Sequence, residues 1–360
     1  MHTEMPEITD SRYGKMCTIP ADSCVSESLR AYGEWAQIEI NFLEKLIKPN
    51  DCVADIGAFI GTHTLAFASF VGPRGRVIAV EPRRELFELL KANTCKYNQC
   101  DNVTLKQCAL GMRQESLNLS ALNLDDADNF GSFSIKEADR KDACKYDVTV
   151  QTLDEFPLER LDLIKLDAEN METEILTGGA NTLTRFRPLI FSECNSLAAG
   201  APIMELATKQ DYCVFGWVGN AFNPDNYRRN KVNIFGAAKE TSLLLIPVEK
   251  KGSIELVQDK TLAGEIRTMD DLCLLFLHKP QYAAEVLSTA SLAPTLGNRY
   301  ESPLSQELCL QICNLKENID ELSRTKDLEI EKLRITVESA EKWQKSWFRR
   351  AFHRWHRPLV

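Results

Sequence analysis

One stretch, Cys52-Val53-Ala54-Asp55-Ile56-Gly57-Ala58-Phe59-Ile60-Gly61-Thr62-His63-Thr64-Leu65, constrains the fold more than any other. A short apolar run meets an acid, breaks on two glycines and resumes with apolar residues at helical spacing. That order predicts a buried strand, a tight turn and a helix start, with Thr62 as N-cap. The crevice above such a turn is where open α/β sheets hold nucleotide-like ligands. The next apolar run, Val77-Ile78-Ala79-Val80, ends in Glu81-Pro82, which puts a carboxylate where a ribose diol would lie.

The glycine spacing is G-x-x-x-G, not the G-x-G-x-x-G whose helix cradles a pyrophosphate. A nucleoside without phosphates fits better, and S-adenosylmethionine (SAM) is the obvious one. These two strands alone leave a methyltransferase and a dehydrogenase both open.

At 360 residues with 44% hydrophobic content, the chain can bury one large core and carry an appendage. Its net charge of -9 is unevenly spread: residues 342–357 hold six bases and no acid, leaving 37 bases against 52 acids upstream. Twelve scattered cysteines form no C-x-x-C pair, and Cys52 and Cys273 lie in apolar, strand-like runs. This usage predicts a reducing cytoplasm rather than a disulfide framework or zinc cluster. With no apolar leader in residues 1–10 and no run of membrane-spanning length, export is not expected.

Residues 1–32 read as a loose lead-in. From Gly33 to Lys48, Trp35, Ile38, Phe42, Leu43, Leu46 and Ile47 recur at helical spacing, and Pro49-Asn50-Asp51 ends that helix. Glu34 and Glu39 are either its solvated face or a ligand contact. Helices are expected over Thr62–Val71, Arg83–Asn98 and Met171–Thr184, and strands at Val103–Gln107, Val148–Val150, Arg187–Glu193, Cys213–Trp217 and Leu243–Pro247. Topology places Cys108 and Ala109, which close the third strand, beside the adenine. The irregular 111–147 is either a lid or variable surface. Strands separated by helices predict an α/β fold, a Rossmann-like, doubly wound, mostly parallel sheet.

In Leu161-Asp162-Leu163-Ile164-Lys165-Leu166-Asp167-Ala168-Glu169-Asn170, an apolar strand ends with Lys165, Asp167 and Glu169 on alternate positions. Alternation sends them to one side unless the strand has already turned. Unpaired charge is costly as packing, so these residues suit acid/base and orienting work; the other reading is a salt-bridged strand end. His63, one residue into the helix after the glycine turn, is either a further base or a packing residue.

Several of these motifs together carry a resemblance. Asp55-Ile56-Gly57-Ala58-Phe59-Ile60-Gly61, Thr152-Leu153-Asp154-Glu155-Phe156, Lys165-Leu166-Asp167-Ala168-Glu169 and Arg187-Pro188-Leu189-Ile190 stand in the order seen in FkbM-type SAM-dependent methyltransferases. The entering helix from Gly33-Glu34 and the turn Asn129-Phe130-Gly131 also resemble that family, and the likeness spans residues 33–240. It implies a SAM-binding Rossmann-like domain that methylates a hydroxyl of a sugar, polyketide or similar metabolite. Residue by residue, it matches Asp55, Gly57 and Gly61 to the cofactor turn and Glu81 to the ribose acid; with their neighbours Ala58, Thr62 and Pro82, and with Cys108 and Ala109 placed by topology, these are the expected cofactor contacts, and Asn129 and Gly131 the expected substrate contacts. The resemblance matches Lys165, Asp167 and Glu169 to the strand-four motif, and these, with His63 named for its place after the glycine turn, are the expected catalytic groups. The family has glycine after that glutamate, whereas this chain has Asn170; Asn tolerates positive φ, so the turn can survive. No His/Asp/Cys set has metal-ligand spacing, so no metal ligand is named and any metal need is left open by the sequence.

The expected domain spans 33–247. Residues 248–302 form an edge extension containing the apolar run Leu272–Leu277, with no assigned role. From 303 to 341, Ile312, Leu315, Ile319, Leu322, Ile330, Leu333, Val337 and Ala340 keep a 3-4 spacing with a stutter, which predicts a coiled coil and a homo-oligomer, or a helix folded back on the domain. In 342–360, Trp343, Trp347, Phe348, Phe352 and Trp355 share a face flanked by bases, the pattern of a helix lying on an anionic membrane surface. An acidic protein partner competes; nucleic acid does not, because a groove-reading helix needs polar readers. The architecture suggests a cytoplasmic enzyme, peripheral at the inner face of the cell membrane, that methylates a sugar in a bacterial surface polysaccharide or lipid-linked glycan. Two rivals remain: a degenerate scaffold, and a nicotinamide-dependent oxidoreductase that the missing pyrophosphate pattern disfavours.

Overall fold

A computed structural model describes residues 7–125, 129–130, 144–253 and 259–279. Strands β1 (Glu7–Ser11) and β2 (Gly14–Thr18) form a hairpin, followed by α1 (Val25–Tyr32) and α2 (Gln37–Glu44). Next come β3 (Cys52–Ile56), α3 (Thr62–Val71), β4 (Arg76–Val80), α4 (Arg84–Lys91) and β5 (Val103–Lys106). Short strands β6 (Ala109–Leu110), β7 (Glu115–Ser120) and β8 (Lys145–Gln151) precede β9 (Leu163–Leu166), α5 (Glu172–Thr177) and α6 (Ala180–Phe186). The described chain ends with β10 (Leu189–Glu193), α7 (Leu197–Lys209), β11 (Tyr212–Asn220), β12 (Lys239–Pro247), β13 (Leu262–Glu265) and α8 (Met269–Leu277).

The main sheet has eight strands in the order β13-β11-β12-β10-β9-β3-β4-β5. From β5 to β10 every neighbouring pair is parallel; β12 enters antiparallel to both β10 and β11, and β13 adds an antiparallel edge. Both faces are covered, as the near-continuous apolar strands require. On one face, α2 and α3 bury Phe42, Leu43 and Phe67 against Val53, Val77, Leu163, Phe191 and Leu244. On the other, α5, α7 and α8 and the small β6-β8-β7 sheet bury Ile175, Ile203, Leu272 and Val150 against Ile56, Ile164, Leu166 and Leu245.

The lead-in is not loose. Met16, Ile19, Val25 and Leu29 pack on Ile60, Leu65 and Leu86, and Asn93 donates to the Cys17 and Ile60 carbonyls, tying β2 to the main domain. Amphipathic helices that bury an apolar face need no long-range periodicity to hold, so this N-terminal packing left little signal. Glu34 is not a solvated face residue: it is 5% exposed and accepts from Arg12, Asn223 and the Tyr227 amide. The single helix expected over 171–184 breaks at Gly178-Gly179, where a Cβ on Gly178 would lie 2.1 Å from the Gly111 carbonyl oxygen. Cys273 sits in α8 rather than in a strand, its apolar run covering the sheet face. The 303–341 coiled coil, the 342–360 tail and Gly131 lie outside the described residues.

Candidate active site

Sheet register brings charge to two successive levels of one face. Asp55 pairs with Lys165, and Lys165 with Phe191. Side chains at paired positions leave a parallel sheet on the same side, and i, i+2 residues share a face. So Val53→Asp55, Leu163→Lys165 and Phe191→Glu193 all pass from the apolar core to charge within two residues. On antiparallel β12, Ser242 pairs with Glu193, and Glu240 lies two residues beyond on that face.

The glycine turn forms as expected, with one difference. Gly61, in the left-handed region (φ 98), is the N-cap, and Thr62 is the first helical residue with no side-chain cap. Gly57 (φ 80) cannot be replaced without strain, because a Cβ there would meet the Asp167 carbonyl oxygen at 1.7 Å. Glycine is needed both for its φ and for this close approach to β9. Ala58 is buried just behind the turn.

Glu81, 5% exposed, faces the turn: its Oε2 accepts from the Phe59 amide at 3.1 Å and its Oε1 from the Arg83 amide at 2.8 Å. Burial pushes its carboxyl up to about 7, against the pull of those amides and the Arg83 charge. Each oxygen keeps a lone pair, which suits the two hydroxyls of a ribose. Asp55 is fully buried; Thr64 donates to its Oδ2 at 2.5 Å, and Oδ1 has no hydrogen-bond partner among the described residues. An unmet buried acceptor and a buried acid short of donors fit a ligand rich in hydroxyl and ammonium donors, as SAM is. Pro82 is half-buried beside Glu81. Cys108 and Ala109 are spent in the apolar core, so any contact with an adenine there falls to the backbone.

At the neighbouring strand ends, Lys165 is 4% exposed and donates to Asp167 Oδ2 at 3.0 Å. Burial opposes its charge, but the carboxylates of Asp167, Asp55 and Glu39 outweigh this and hold its pKa above the usual lysine value. Burial likewise opposes the charge of Asp167, yet Lys165 and a hydrogen bond from Glu193 keep that carboxyl below its usual range. Glu193 moves the other way: burial, then the charges of Asp167 and Glu169, push it well up. One proton is therefore held between Glu193 and Asp167, with Asp167 the ionised member.

The strand has ended before Glu169, but the turn still returns it to the site. Glu169 (φ 50) and Asn170 (φ 72) are both left-handed, and one oxygen each from Asp167, Glu169 and Glu193 lies within 4.8 Å of the others. Burial and the charges of Asp167 and Glu172 push Glu169 well up too. The departure at Asn170 is thus accommodated, since Asn is among the residues that most readily take this conformation.

His63 is 6% exposed and stacks near Phe67. Its Nε2 is 3.1 Å from Glu39 Oε1, an ion-pair distance without hydrogen-bond alignment. Glu39 thus faces inward, toward His63 and Lys165, rather than to solvent. Asn129 is half-buried, while its neighbour Phe130 docks into the N-terminal cluster. Glu193 and Glu240 escaped the sequence reading; an acid closing strand five was the available signal for Glu193.

No curated protein matches the chain in sequence. Among solved structures, it is similar to the FkbM methyltransferase of Methylobacillus flagellatus KT (16% identity, 58% of this chain and 50% of that one, TM-score 0.33), so it spans half that protein's length. It is also similar to a SAM-dependent O-methyltransferase of Thermotoga maritima (16%, 68% and 79%, TM-score 0.36) and to precorrin-6y C5,15-methyltransferase of Geobacter metallireducens GS-15 (16%, 59% and 88%, TM-score 0.36). The family model described as methyltransferase FkbM domain matches residues 55–213, which run from the acid before the glycine turn through the Lys165/Asp167 strand to β11.

Proposed function

We propose that the chain transfers a methyl group from SAM to a hydroxyl of a sugar, in a surface polysaccharide or lipid-linked glycan. The observation that carries this reading is the adjacency of the Gly57 turn and the Asp167 strand end: Gly57 packs on the Asp167 backbone. Donor and acceptor sites are therefore fixed to one rigid joint.

SAM, when bound, supplies an activated methyl on a sulfonium. The rest falls to the protein. Asp55, Gly57, Ala58, Gly61, Thr62, Glu81 and Pro82 would hold the nucleoside, with Glu81 on the ribose hydroxyls. Orientation of two reactants can be worth roughly 7–11 kcal/mol of the barrier. Asp167, kept ionised by Lys165, is the acceptor for the hydroxyl proton, worth about 10²–10⁴-fold. Glu193 holds a proton beside it, and Glu169 closes the same side. His63, paired with Glu39, is a secondary candidate.

The sugar acceptor follows from the family resemblance and the notional glycan-assembly setting, and it rests further on residues 303–360. We propose those as an oligomerising coiled coil followed by a tail that seeks an anionic membrane surface at the inner face of the cell membrane. Among the described residues no helix is long and apolar enough to cross a membrane. Calorimetry with SAM and with NAD tests the cofactor; binding of NAD alone refutes the reading. Labelled methyl from SAM should appear in cell-surface carbohydrate only when this chain is present. Label confined to small metabolites would replace the glycan with a secondary-metabolite acceptor, and absence of SAM binding would leave a scaffold.

A further inference from the structure

The family model ends at residue 213, yet the chain beyond it reaches the site. β13 extends the sheet, and α8 lays Leu272, Leu275 and Phe276 into the core beside α7. Just after α8, Lys279 is 1% exposed, a burial that an ammonium tolerates only when paired. Its Nζ donates to Asn195 Oδ1 at 2.7 Å and lies 3.4 Å from Glu240 Oε2. Asn195 follows the end of β10 by two residues and Glu240 is the second residue of β12, so the ammonium bridges the strand ends that carry Glu193.

We propose that Lys279, delivered from outside the residues the family model matches, is a positioning residue for the Asp167–Glu193 pair: by pairing with Glu240 and tethering Asn195, it joins the two strand ends beside Glu193 and keeps Glu240 from competing with that pair. The proposal rests on the proposed function only in giving that pair its acid/base role. The charge balance favours it. Glu193 faces Asp167 and Glu169 after β9, and Glu240 on β12 feels the charges of Glu39 and Asp167. Around them stand Asp55 on β3, Glu39 on α2 and Glu172 on α5. The compensating cations among the described residues are Lys165, Lys279 and, when protonated, His63. The nearby thiols of Cys194 and Cys24 are pushed up by burial and stay neutral. Without Lys279, Glu240 sits among like charges and takes up a proton of its own.

The probe is SAM itself, titrated calorimetrically into the full chain in buffers of different ionisation enthalpy to count protons released. A sulfonium arriving beside protonated carboxyls expels protons. Lys279→Met should release more protons per SAM than the parent, because Glu240, left without its ammonium, then holds a proton more firmly. Lys279→Arg should restore the parental count, and Lys279→Met/Glu240→Gln should return toward it. Equal release from Lys279→Met and the parent would overturn the proposal, as would a double variant that keeps the excess. Should Lys279→Met not fold, Glu240→Gln alone decides: with Lys279 freed for Glu193, release should fall, and an unchanged count overturns the proposal. If the parent binds no SAM, the functional reading fails instead. Lys279 is then read from urea unfolding, where the Lys279→Met deficit must grow with rising pH; a pH-independent deficit means packing alone.

Discussion

Two levels of the same sheet face make an informative pair. At the lower level Val53, Leu163, Phe191 and Leu244 are at most 1% exposed and pack against α2 and α3. Two residues along each strand toward the site, the same face carries Asp55 and Lys165, paired level with Phe191, then Glu193 and Ser242 one pair further on, with Asp167 and Glu240 beyond. Burying apolar side chains stabilises by about 1.5–3 kcal/mol each, so the lower level holds the fold. The upper level does the opposite: Asp55 is buried, Asp167, Glu193 and Glu240 are half-buried, and these carboxyls repel one another with few cations between them. A sheet whose apolar pattern gives way to polar or charged side chains within two residues on four neighbouring strands is spending stability on chemistry.

Predictions sharpen that contrast. Gly57→Ala joins the two levels by force, since its Cβ would meet the Asp167 carbonyl at 1.7 Å. We expect a loss of about 4 kcal/mol in denaturant unfolding, and no SAM binding by calorimetry. A well-behaved variant with parental affinity would show the turn to be softer than its packing implies. Asp167→Asn touches only the upper level. Single-turnover methyl transfer to the acceptor found by labelling should fall about 10²–10⁴-fold, with SAM affinity within a few-fold. An unchanged rate would remove Asp167 from the base role.

Glu81→Gln separates binding from stability. Its carboxyl pKa is raised in the folded chain to about 7 from an ordinary 4.5, so the native state holds the proton more tightly than the unfolded one. Its stability contribution is thus complete at acid pH and is lost as pH rises through that window, by about 3 kcal/mol at most. The Gln variant should therefore gain stability relative to the parent between mildly acidic and alkaline pH while binding SAM more weakly. Parallel pH-stability curves would deny the burial effect. The smallest change is Asn170→Gly, where φ is already +72. Thermal unfolding should shift by no more than about 1 kcal/mol, because Gly relieves the left-handed strain while adding chain entropy.

How much was legible divides along the same line. The glycine turn, the two acids that bracket it and the Lys165-x-Asp167-x-Glu169 alternation are local, and local geometry writes itself into short motifs. The mostly parallel sheet followed from strand and helix spacing. The buried Glu34, the ordered hairpin before α1, the break at Gly178-Gly179 and the helical Cys273 run were not legible, because each depends on what packs against it.

The sequence by itself determined the glycine turn and the order of motifs across residues 55–213 that the FkbM family model matches, because these rest on φ preferences and spacing within short segments. Only the tertiary structure decided that Glu193, Glu240 and Lys279 converge on Asp167. Those residues come from strands and a helix end far apart in the chain, and charges couple through distance in space, which sheet register sets and sequence separation does not.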